Sequence, residues 1–391
     1  MKYTFPHITH ISQVLPAIEG KPEFIVSEKD GDYTVINYVV QTADTFPPVT
    51  TEADAILREC RGLIFRTSTG EVIARRYHKF FNCNEKEETQ LTKIDLSQPH
   101  VILEKLDGSM ITPIRTTSGI RWGTKMGVTM VALPVEEFVA THEVYTTFAL
   151  WAEYKELTPI FEWCSRKQPI VIDYPVDQLV LTALRNNVTG EYMPYSQMVE
   201  ELEGFDIPVV NAFTGTVANM EDLVQQTGPM VGCEGFVVRF DTGHMIKVKA
   251  EDYLRKHKAK DMIGREKDII ELLVTEKMDD VKAFLDEKDL KRVNEFEKKF
   301  WEGVEDTAQR IVALRATQPE VVDRKTYAVE FVQKKAPVLA KFLYAVYTVQ
   351  PLAEVIVLVR DTIAKSCSTQ TRVDECRWMF GCNWNAAIVQ E

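Results

Sequence analysis

Lys105 sits in Glu104-Lys105-Leu106-Asp107-Gly108-Ser109, between the apolar runs Val101-Ile102-Leu103 and Met110-Ile111. Asp-Gly pairs make tight turns. The lysine is therefore expected at the end of a strand, on a turn that lines something. Such a lysine can be a nucleophile once its charge is suppressed. With an ordinary pKa near 10.4 it is almost fully protonated at neutral pH, and burial or neighbouring cations favour its neutral form. Attack at phosphorus also needs cations on the phosphates and a carboxylate for a divalent metal.

The first 250 residues offer candidates for each part. Arg61 lies in Glu59-Cys60-Arg61-Gly62, Lys79 in Lys79-Phe80-Phe81-Asn82, and Lys125 in Gly123-Thr124-Lys125-Met126-Gly127. Glu162 is an acid inside the apolar Phe161-Glu162-Trp163, and Glu234-Gly235 precedes Phe236-Val237-Val238. Lys247 and Lys249 are spaced i, i+2, so one face of a strand carries both. Each alone has an ordinary explanation. Glu162 and Glu234 can be strand-end acids facing water, Lys247 and Lys249 the protective charges of an edge strand, and Phe80 and Phe81 plain core. Their order is what discriminates.

The elements that would position these residues change along the chain. Residues 1 to 250 read as α+β. A hairpin is expected over Phe24–Val40 around Asp30-Gly31-Asp32, and another over 62–77 around Ser68-Thr69-Gly70. Strands are expected over 101–127, broken at Gly108 and Ser118-Gly119, and again at 160–163, 179–184 and 235–248. One helix is expected over 134–157, with Pro134 in its first turn, and short ones near 196–203 and 220–226. From 251 to 391 the chain reads as all-α. Val281, Phe284 and Leu285, then Leu290, Val293, Phe296 and Phe300, recur at helical spacing. Further helices are expected at 303–316, 319–335, 338–349 and 351–365, punctuated by Pro319, Pro337 and Pro351.

Composition narrows the class. The 391 residues are 45% hydrophobic and 27% charged, ordinary for a globular chain of two domains. No apolar run approaches the roughly 18 residues of a membrane span, and the N-terminus lacks the apolar core of a signal peptide. The seven scattered cysteines form no C-x-x-C pair. They fit reduced thiols in a cytoplasm better than a disulfide scaffold, and Cys367, Cys376 and Cys382 are not spaced as a zinc site. A net charge of −12 argues against a surface coated for nucleic acid but leaves room for a local basic groove. From Lys247 to Lys267 eight basic residues face four acidic ones, directly after the Lys-x-Lys strand. From Glu266 to Asp306 the count reverses to 14 acidic against 8 basic, which reads as a solvated helix face.

The order Arg-Gly, Lys-Phe-Phe-Asn, Lys-x-Asp-Gly, Phe-Glu, Glu-Gly, Lys-x-Lys resembles the covalent nucleotidyltransferases, that is, polynucleotide ligases and mRNA capping enzymes. More narrowly, the segments ECRGLIF, KFFNCNE, EKLDGSM, FEW, CEGFVV and MIKVKAEDY resemble the blocks of the bacteriophage RNA ligase 1 family. Asp323-Arg324-Lys325-Thr326-Tyr327-Ala328 resembles a stretch of that family's helical C-terminal domain. The resemblance covers about residues 20 to 350. The chain departs from it in Leu106, where the type member has an acid, and in Thr-Lys-Met-Gly around Lys125.

The resemblance implies an ATP-grasp-like nucleotidyltransferase domain of antiparallel sheets with flanking helices at 1–250. It implies an all-helical domain at 251–391 that selects RNA. Lys105 would carry AMP covalently. Arg61 and Lys79 would hold the ATP phosphates, Lys79 also guiding an RNA 5′-phosphate. Glu162 would contact the sugar, Glu234 would help hold Mg²⁺ (Mn²⁺ as the alternative) through water, and Lys247 and Lys249 would grip the α-phosphate. Phe81 would line the nucleotide pocket, and Asp107, Gly108, Lys125 and Tyr253 match further positions of the cofactor site. The implied activity is ATP-dependent joining of RNA 5′-phosphate and 3′-hydroxyl ends by a cytoplasmic monomer, in the host cytoplasm if phage-encoded, with nicked tRNA as a candidate substrate. A DNA ligase or capping guanylyltransferase shares the core, but those usually append a β-barrel after the Lys-x-Lys strand, where helices are expected here. A catalytically inactive RNA-binding relative would not need the intact set Lys105, Glu234, Lys247 and Lys249.

Overall fold

The computed structural model describes residues 4–29, 32–42, 44–318, 323–334, 336–348 and 351–384. The chain divides into two compact units, Met1–Leu254 and Arg255–Glu391. Among the described residues no helix is long and apolar enough to cross a membrane.

The strands of the first unit are, in chain order, β1 (Phe24–Lys29), β2 (Tyr33–Tyr38), β3 (Arg61–Arg66), β4 (Val72–Ala74), β5 (Phe81–Asn82) and β6 (His100–Glu104). Then come β7 (Ser109–Thr116), β8 (Gly119–Gly123), β9 (Leu157–Cys164), β10 (Gln178–Asn186), β11 (Gly235–Phe240) and β12 (Met245–Lys249). They form three four-stranded sheets in the orders β1-β2-β3-β4, β10-β9-β7-β8 and β5-β12-β11-β6. Pairing is antiparallel, except that β5 runs parallel to β12. The β1–β2 hairpin pairs Phe24 with Tyr38 through Lys29 with Tyr33; Asp30 and Gly31 of its expected turn lie outside the described residues.

The central strands β2 and β3 of the first sheet are buried on both faces. Leu63 and Phe65 of β3 pack with Phe24, Ile36 and Phe46, while Ile64 packs oppositely with Val35 and Ala74. A near-continuous apolar run such as Leu63–Phe65 is what two-sided burial requires. The second sheet packs Ile111, Phe161, Trp163 and Leu181 against Val135, Val139 and Phe148. The latter come from two helices, Leu133–Ala140 and Glu143–Tyr154, rather than the single helix expected over 134–157. The break has a local cause. The Thr141 hydroxyl donates to the Phe138 carbonyl at 2.8 Å, and the His142 ring lies 2.7 Å from the same oxygen, so side chains take over an acceptor that a continuing helix would use. In the third sheet one face buries Ile102, Val238, Ile246 and Val248 against Met220 and Leu223 of the helix Met220–Thr227.

The second unit is helical. Glu287–Ala316 is one 30-residue helix, capped by Asp286, that buries Val293, Phe296, Phe300, Val304 and Ile311. The segment expected at 303–316 is its second half. Of the helix expected at 319–335, residues 319–322 and 335 lie outside the described residues. Asp323 caps the remainder, which begins as Arg324–Thr326 and widens into a π-helix at Tyr327–Gln333. Leu352–Ser366 follows Pro351. Glu266, 1% exposed, accepts hydrogen bonds from Arg377 at 2.7 and 2.8 Å, from Gln370 at 2.8 Å and from the Trp384 amide at 2.7 Å. All seven cysteines are free.

Glu59 joins the first two sheets. It ends the helix Glu52–Glu59 just before β3, and its carboxylate meets Arg75 at 3.0 Å and Arg185 of β10 at 2.8 Å, all three side chains fully buried. Burial alone would raise the Glu59 pKa, but Arg185 and Arg75 outweigh it and lower it from 4.5 to about 2. Its contribution to stability is therefore complete above about pH 5 and is lost as the pH falls through the interval down to about 2. Glu59→Gln leaves two buried guanidinium groups without a counter-charge, and such breaks cost about 3–5 kcal/mol. The expected result is a markedly lower melting temperature at neutral pH, with the gap to the wild-type protein narrowing as the pH falls toward 2. A gap that stays constant with pH would refute the charge argument.

Candidate active site

The turn Lys105–Gly108 leaves β6 in the third sheet and enters β7 in the second. Two glycines let the backbones meet there. A Cβ on Gly108 would stand 2.3 Å from the Trp163 carbonyl oxygen of β9. Gly235, at φ +132°, lies in the region that favours glycine, and a Cβ there would stand 2.0 Å from the Val248 carbonyl oxygen. The Gly235 carbonyl accepts the Lys105 amide at 2.8 Å, which fixes where the lysine leaves the sheet.

Lys105 Nζ lies 2.7 Å from Glu234 Oε2, and Lys249 Nζ lies 2.9 Å from Glu234 Oε1. One buried carboxylate, 4% exposed, thus bridges two half-buried lysines, one on the turn after β6 and one at the end of β12. Beside them is a cavity of about 290 Å³ whose lining includes Arg61, Lys105, Gly108, Glu162, Lys247 and Lys249. Register explains the gathering. Val237 pairs with Lys247 and with Leu103, and Gly235 pairs with Lys249, so alternate residues of three strands present one face to the cavity.

Burial pushes the Lys247 ammonium well below its ordinary pKa, helped by Arg61, Lys79 and Lys105. Its Nζ sits 4.7 Å from the Phe80 ring centroid. Glu162 moves the other way. Burial raises it to about 7, with Lys105 opposing and Glu234 adding to the rise.

Several residues expected at the cofactor lie outside the lining of this cavity. Phe81 does not line the cavity; it is 1% exposed and packs with Phe46 and Leu57 in the core. The reason is strand alternation, because Phe81 pairs with Ile246 on the core face while its neighbours Phe80 and Asn82 turn to the cavity. Asp107 is likewise not in the cavity lining. Its carboxylate accepts from the Val171 and Ile172 amides, both at 2.7 Å, and from the Tyr253 hydroxyl at 2.9 Å. The Asp107 amide donates to Tyr174 at 2.9 Å. Asp107 and Tyr253 therefore hold the turn that carries Lys105, and the Tyr253 ring lies 5.1 Å from Lys249 Nζ.

Lys79 and Lys125 also stand outside that lining, around Tyr38, at 5.4 and 4.5 Å from its ring centroid. Lys79 is 7% exposed and donates to Gln41 at 2.6 Å. Burial would raise the Tyr38 phenol, but Lys79, Arg61 and Lys125 outweigh it and hold its pKa below the ordinary value. Arg61 belongs to both groups. Tyr77, Phe80 and Arg239 also line the cavity, while Tyr38 and Tyr174 touch Lys79 and Asp107 beside it; the sequence singled out none of them as site residues. Only Phe80 carried a signal, its place next to Phe81 in the Lys-Phe-Phe-Asn motif.

A metal cage is not built here. Among the described residues no group of three or more His, Cys, Asp or Glu side chains could hold an ion. Glu234, beside a cationic cavity whose lining also holds Glu104 and Glu162, fits Mg²⁺, which keeps several waters and is held by one or two carboxylates together with substrate phosphates.

A family model described as RNA ligase matches residues 59–263, and one described as T4 RNA ligase 1, C-terminal domain, matches residues 260–371. A protein of Thermovibrio ammonificans, provisionally assigned as an RNA ligase, is 31% identical over 256 residues, covering 64% of each chain. RNA ligase 1 of bacteriophage TS2126 is 27% identical over 143 residues, covering 35% of this chain and 36% of that one. The chain spans less than two thirds of the length of these relatives. Among solved structures, a provisionally assigned ATP-dependent DNA ligase from Aquifex aeolicus aligns with a TM-score of 0.43 at 16% identity, covering 65% of this chain and 67% of that one. A Naegleria gruberi RNA ligase with pyrophosphate aligns at 0.34 and 20% identity, covering 41% of this chain and 52% of that one. Scores this low carry no argument about mechanism.

The Glu162 carboxyl yields a test of the site's electrostatics. Its pKa is raised from 4.5 to about 7, so the folded protein keeps a proton that the unfolded chain has lost, and stability falls as the pH rises across that interval. Glu162→Gln cannot ionise. Its melting temperature relative to wild type should climb between about pH 4.5 and 7 and then level off. A difference that is flat with pH would mean that Glu162 titrates like a surface acid.

Proposed function

The chain belongs to the RNA ligase family, and from that membership we propose that it is an ATP-dependent RNA ligase joining a 5′-phosphate to a 3′-hydroxyl. The observation that carries the reading is the Glu234 carboxylate bridging Lys105 and Lys249 beside a cavity lined by Arg61, Glu162 and Lys247. A nucleophile, an acceptor for its proton and cations for phosphate thus stand within one site.

In the first step the Lys105 amine forms a bond to the α-phosphorus of ATP, and the bond to pyrophosphate breaks. Glu234 Oε2, 2.7 Å from Nζ, is the acceptor nearest the proton that the lysine must shed. Lys247 and Lys249 meet charge that grows on the α-phosphate oxygens, and fixed charges aimed at developing charge are worth most in a partly dry site. In the second step the 5′-phosphate of the RNA takes AMP from Lys105. In the third, a 3′-hydroxyl attacks that activated phosphate and AMP leaves. Mg²⁺, or Mn²⁺ in its place, would supply further neutralisation of phosphate charge, with Glu234 as the carboxylate able to hold it through water.

Lys79 and Lys125, with Tyr38 between them, form a second basic group reached through Arg61, which suits the pyrophosphate or the incoming RNA 5′-phosphate. The helical unit would choose among RNAs. Its match to a ligase C-terminal domain supports that role, and nicked tRNA is the candidate substrate because a broken stem-loop offers shape and 2′-hydroxyls to a second surface. Action as a monomer in the cytoplasm, the host's if phage-encoded, completes the reading.

Incubation with α-labelled ATP and Mg²⁺, followed by denaturing electrophoresis, should give a labelled protein band. Lys105→Ala should abolish it while the protein still folds, with Lys249 remaining as a partner for Glu234. Lys105→Arg should fail equally, because guanidinium is always charged. A labelled Ala variant would end the assignment.

Lys247→Ala and Lys249→Ala should each slow adenylylation on the order of a hundredfold, the usual size for losing one contact to developing charge. Lys249→Ala also strips Glu234 of one partner, so its loss should be at least as large. Normal rates in both would reduce the pair to protection of the strand.

A further inference from the structure

Arg239 lies two residues beyond Val237 on β11, paired with Met245 of β12. Both line the cavity together with Tyr77, Thr182 and Val210. This part of the cavity lies along the strands from the lysines, because Met245 precedes Lys247 and Lys249 on the same face. Its lining is apolar or aromatic apart from Thr182 and Arg239, and the Thr182 hydroxyl is already committed to the Ile160 carbonyl at 2.9 Å.

Arg239 is not committed in this way. It is 5% exposed. Its Nη2 reaches the Met193 carbonyl only at 3.4 Å, and Nη1 has no hydrogen-bond partner. Among the described residues no carboxylate forms an ion pair with it, although Asp241 acts on it from a distance. A buried donor left unpaired is costly, and so is a buried charge without a counter-ion. The surroundings say what would satisfy it. Val210, Val237 and Met245 suit a flat neutral ring, whereas the side chains suited to phosphate, Arg61, Lys105, Lys247 and Lys249, belong to the same lining, with Lys247 and Lys249 further along β12 than Met245. Arginine carries donors only, so its counterpart on that ring must be an acceptor. The unpartnered Nη1 carries N–H groups only, and a ring nitrogen of a purine is an acceptor that a flat neutral base can bring to it.

We propose that Arg239 reads the base of the nucleotide, donating from its guanidinium to a single ring nitrogen of the adenine. The proposal rests on the cavity being the ATP site. It makes Arg239 a specificity residue that touches the substrate away from the reacting phosphorus.

The test measures formation of the lysyl-nucleotide by the full chain with ATP and with 1-deaza-, 3-deaza- and 7-deaza-ATP, each lacking one ring nitrogen. It is run on the wild-type protein, on Arg239→Met and on Arg239→Lys, with melting temperatures recorded alongside. The wild-type protein should lose about tenfold in kcat/KM with one of the three analogues, the usual scale of one hydrogen bond to a charged donor. Arg239→Met should lose about as much with ATP and show no further loss with that analogue, since the two changes remove the same bond. Arg239→Lys keeps the buried cation and preserves the fold if Arg239→Met does not, and it should behave in the same direction. Indifference of the wild-type protein to all three analogues would overturn the proposal. So would a variant whose loss is equal for ATP and every analogue, which would put the guanidinium on the phosphates or in the scaffold. Failure of both variants to fold would overturn it too, by making the guanidinium a structural group. If the cavity were not the ATP site, the wild-type protein would form no lysyl-nucleotide with ATP, which separates that failure from this one.

Discussion

Crowding of positive charge is the constraint around which the first unit is built. Arg61, Lys79, Lys105, Lys125, Lys247 and Lys249 come from separate segments and converge on one region, where burial weakens the screening that water would supply. The fold answers in three ways. Glu234 neutralises two lysines with one carboxylate. Burial and neighbouring cations push Lys247 toward its neutral form, and burial does the same to Lys79. Tyr38 is drawn toward its anionic form by the cations beside it. Each response lowers the net charge of a site whose proposed ligand, a triphosphate, would lower it further.

Holding such a region together takes joints that do not depend on the charges themselves. The Lys105–Gly108 turn crosses between sheets only because Gly108 admits the Trp163 carbonyl. Asp107 stiffens that turn by accepting two amides and a tyrosine hydroxyl. Glu59 ties β10 to the start of β3, which delivers Arg61. Buried ion pairs are weak sources of net stability but costly to break, which suits a joint that must keep one arrangement.

Much of this was legible in the sequence because it depends on local order. The succession of short motifs marked Arg61, Lys105, Gly108, Glu162, Lys247 and Lys249, and the cavity lining includes all six. The switch from alternation to helical spacing near residue 250 marked the change of class. What the sequence hid depends on partners distant in the chain. Phe80 and Phe81 are the same residue type, and only the pairing of Phe81 with Ile246 decides which one faces the cavity. Asp107 reads as a site acid until residues 171 and 172 are seen to fold over it. Lys79 and Lys125 are 46 residues apart, and nothing local says that both flank Tyr38. Arg239 looks like an ordinary strand arginine, because its missing counter-charge is a property of the surroundings.

The opposite shifts of Lys247 and Glu162 share one cause. Burial disfavours the charged form of each, so one sheds a proton easily and the other keeps it. A polyanion entering the proposed site would act on both in one direction. Negative charge beside Lys247 favours its protonated form, and the same charge disfavours ionisation of Glu162. Nucleotide entry is then linked to proton uptake, and departure of the polyanion to proton release, independently of the proton that Lys105 must lose. The arrangement separates two tasks that a row of fully charged lysines would confuse. Phosphate beside Lys247 would favour its charged form, while Glu234, held between Lys105 and Lys249, keeps an acceptor within reach of the nucleophile.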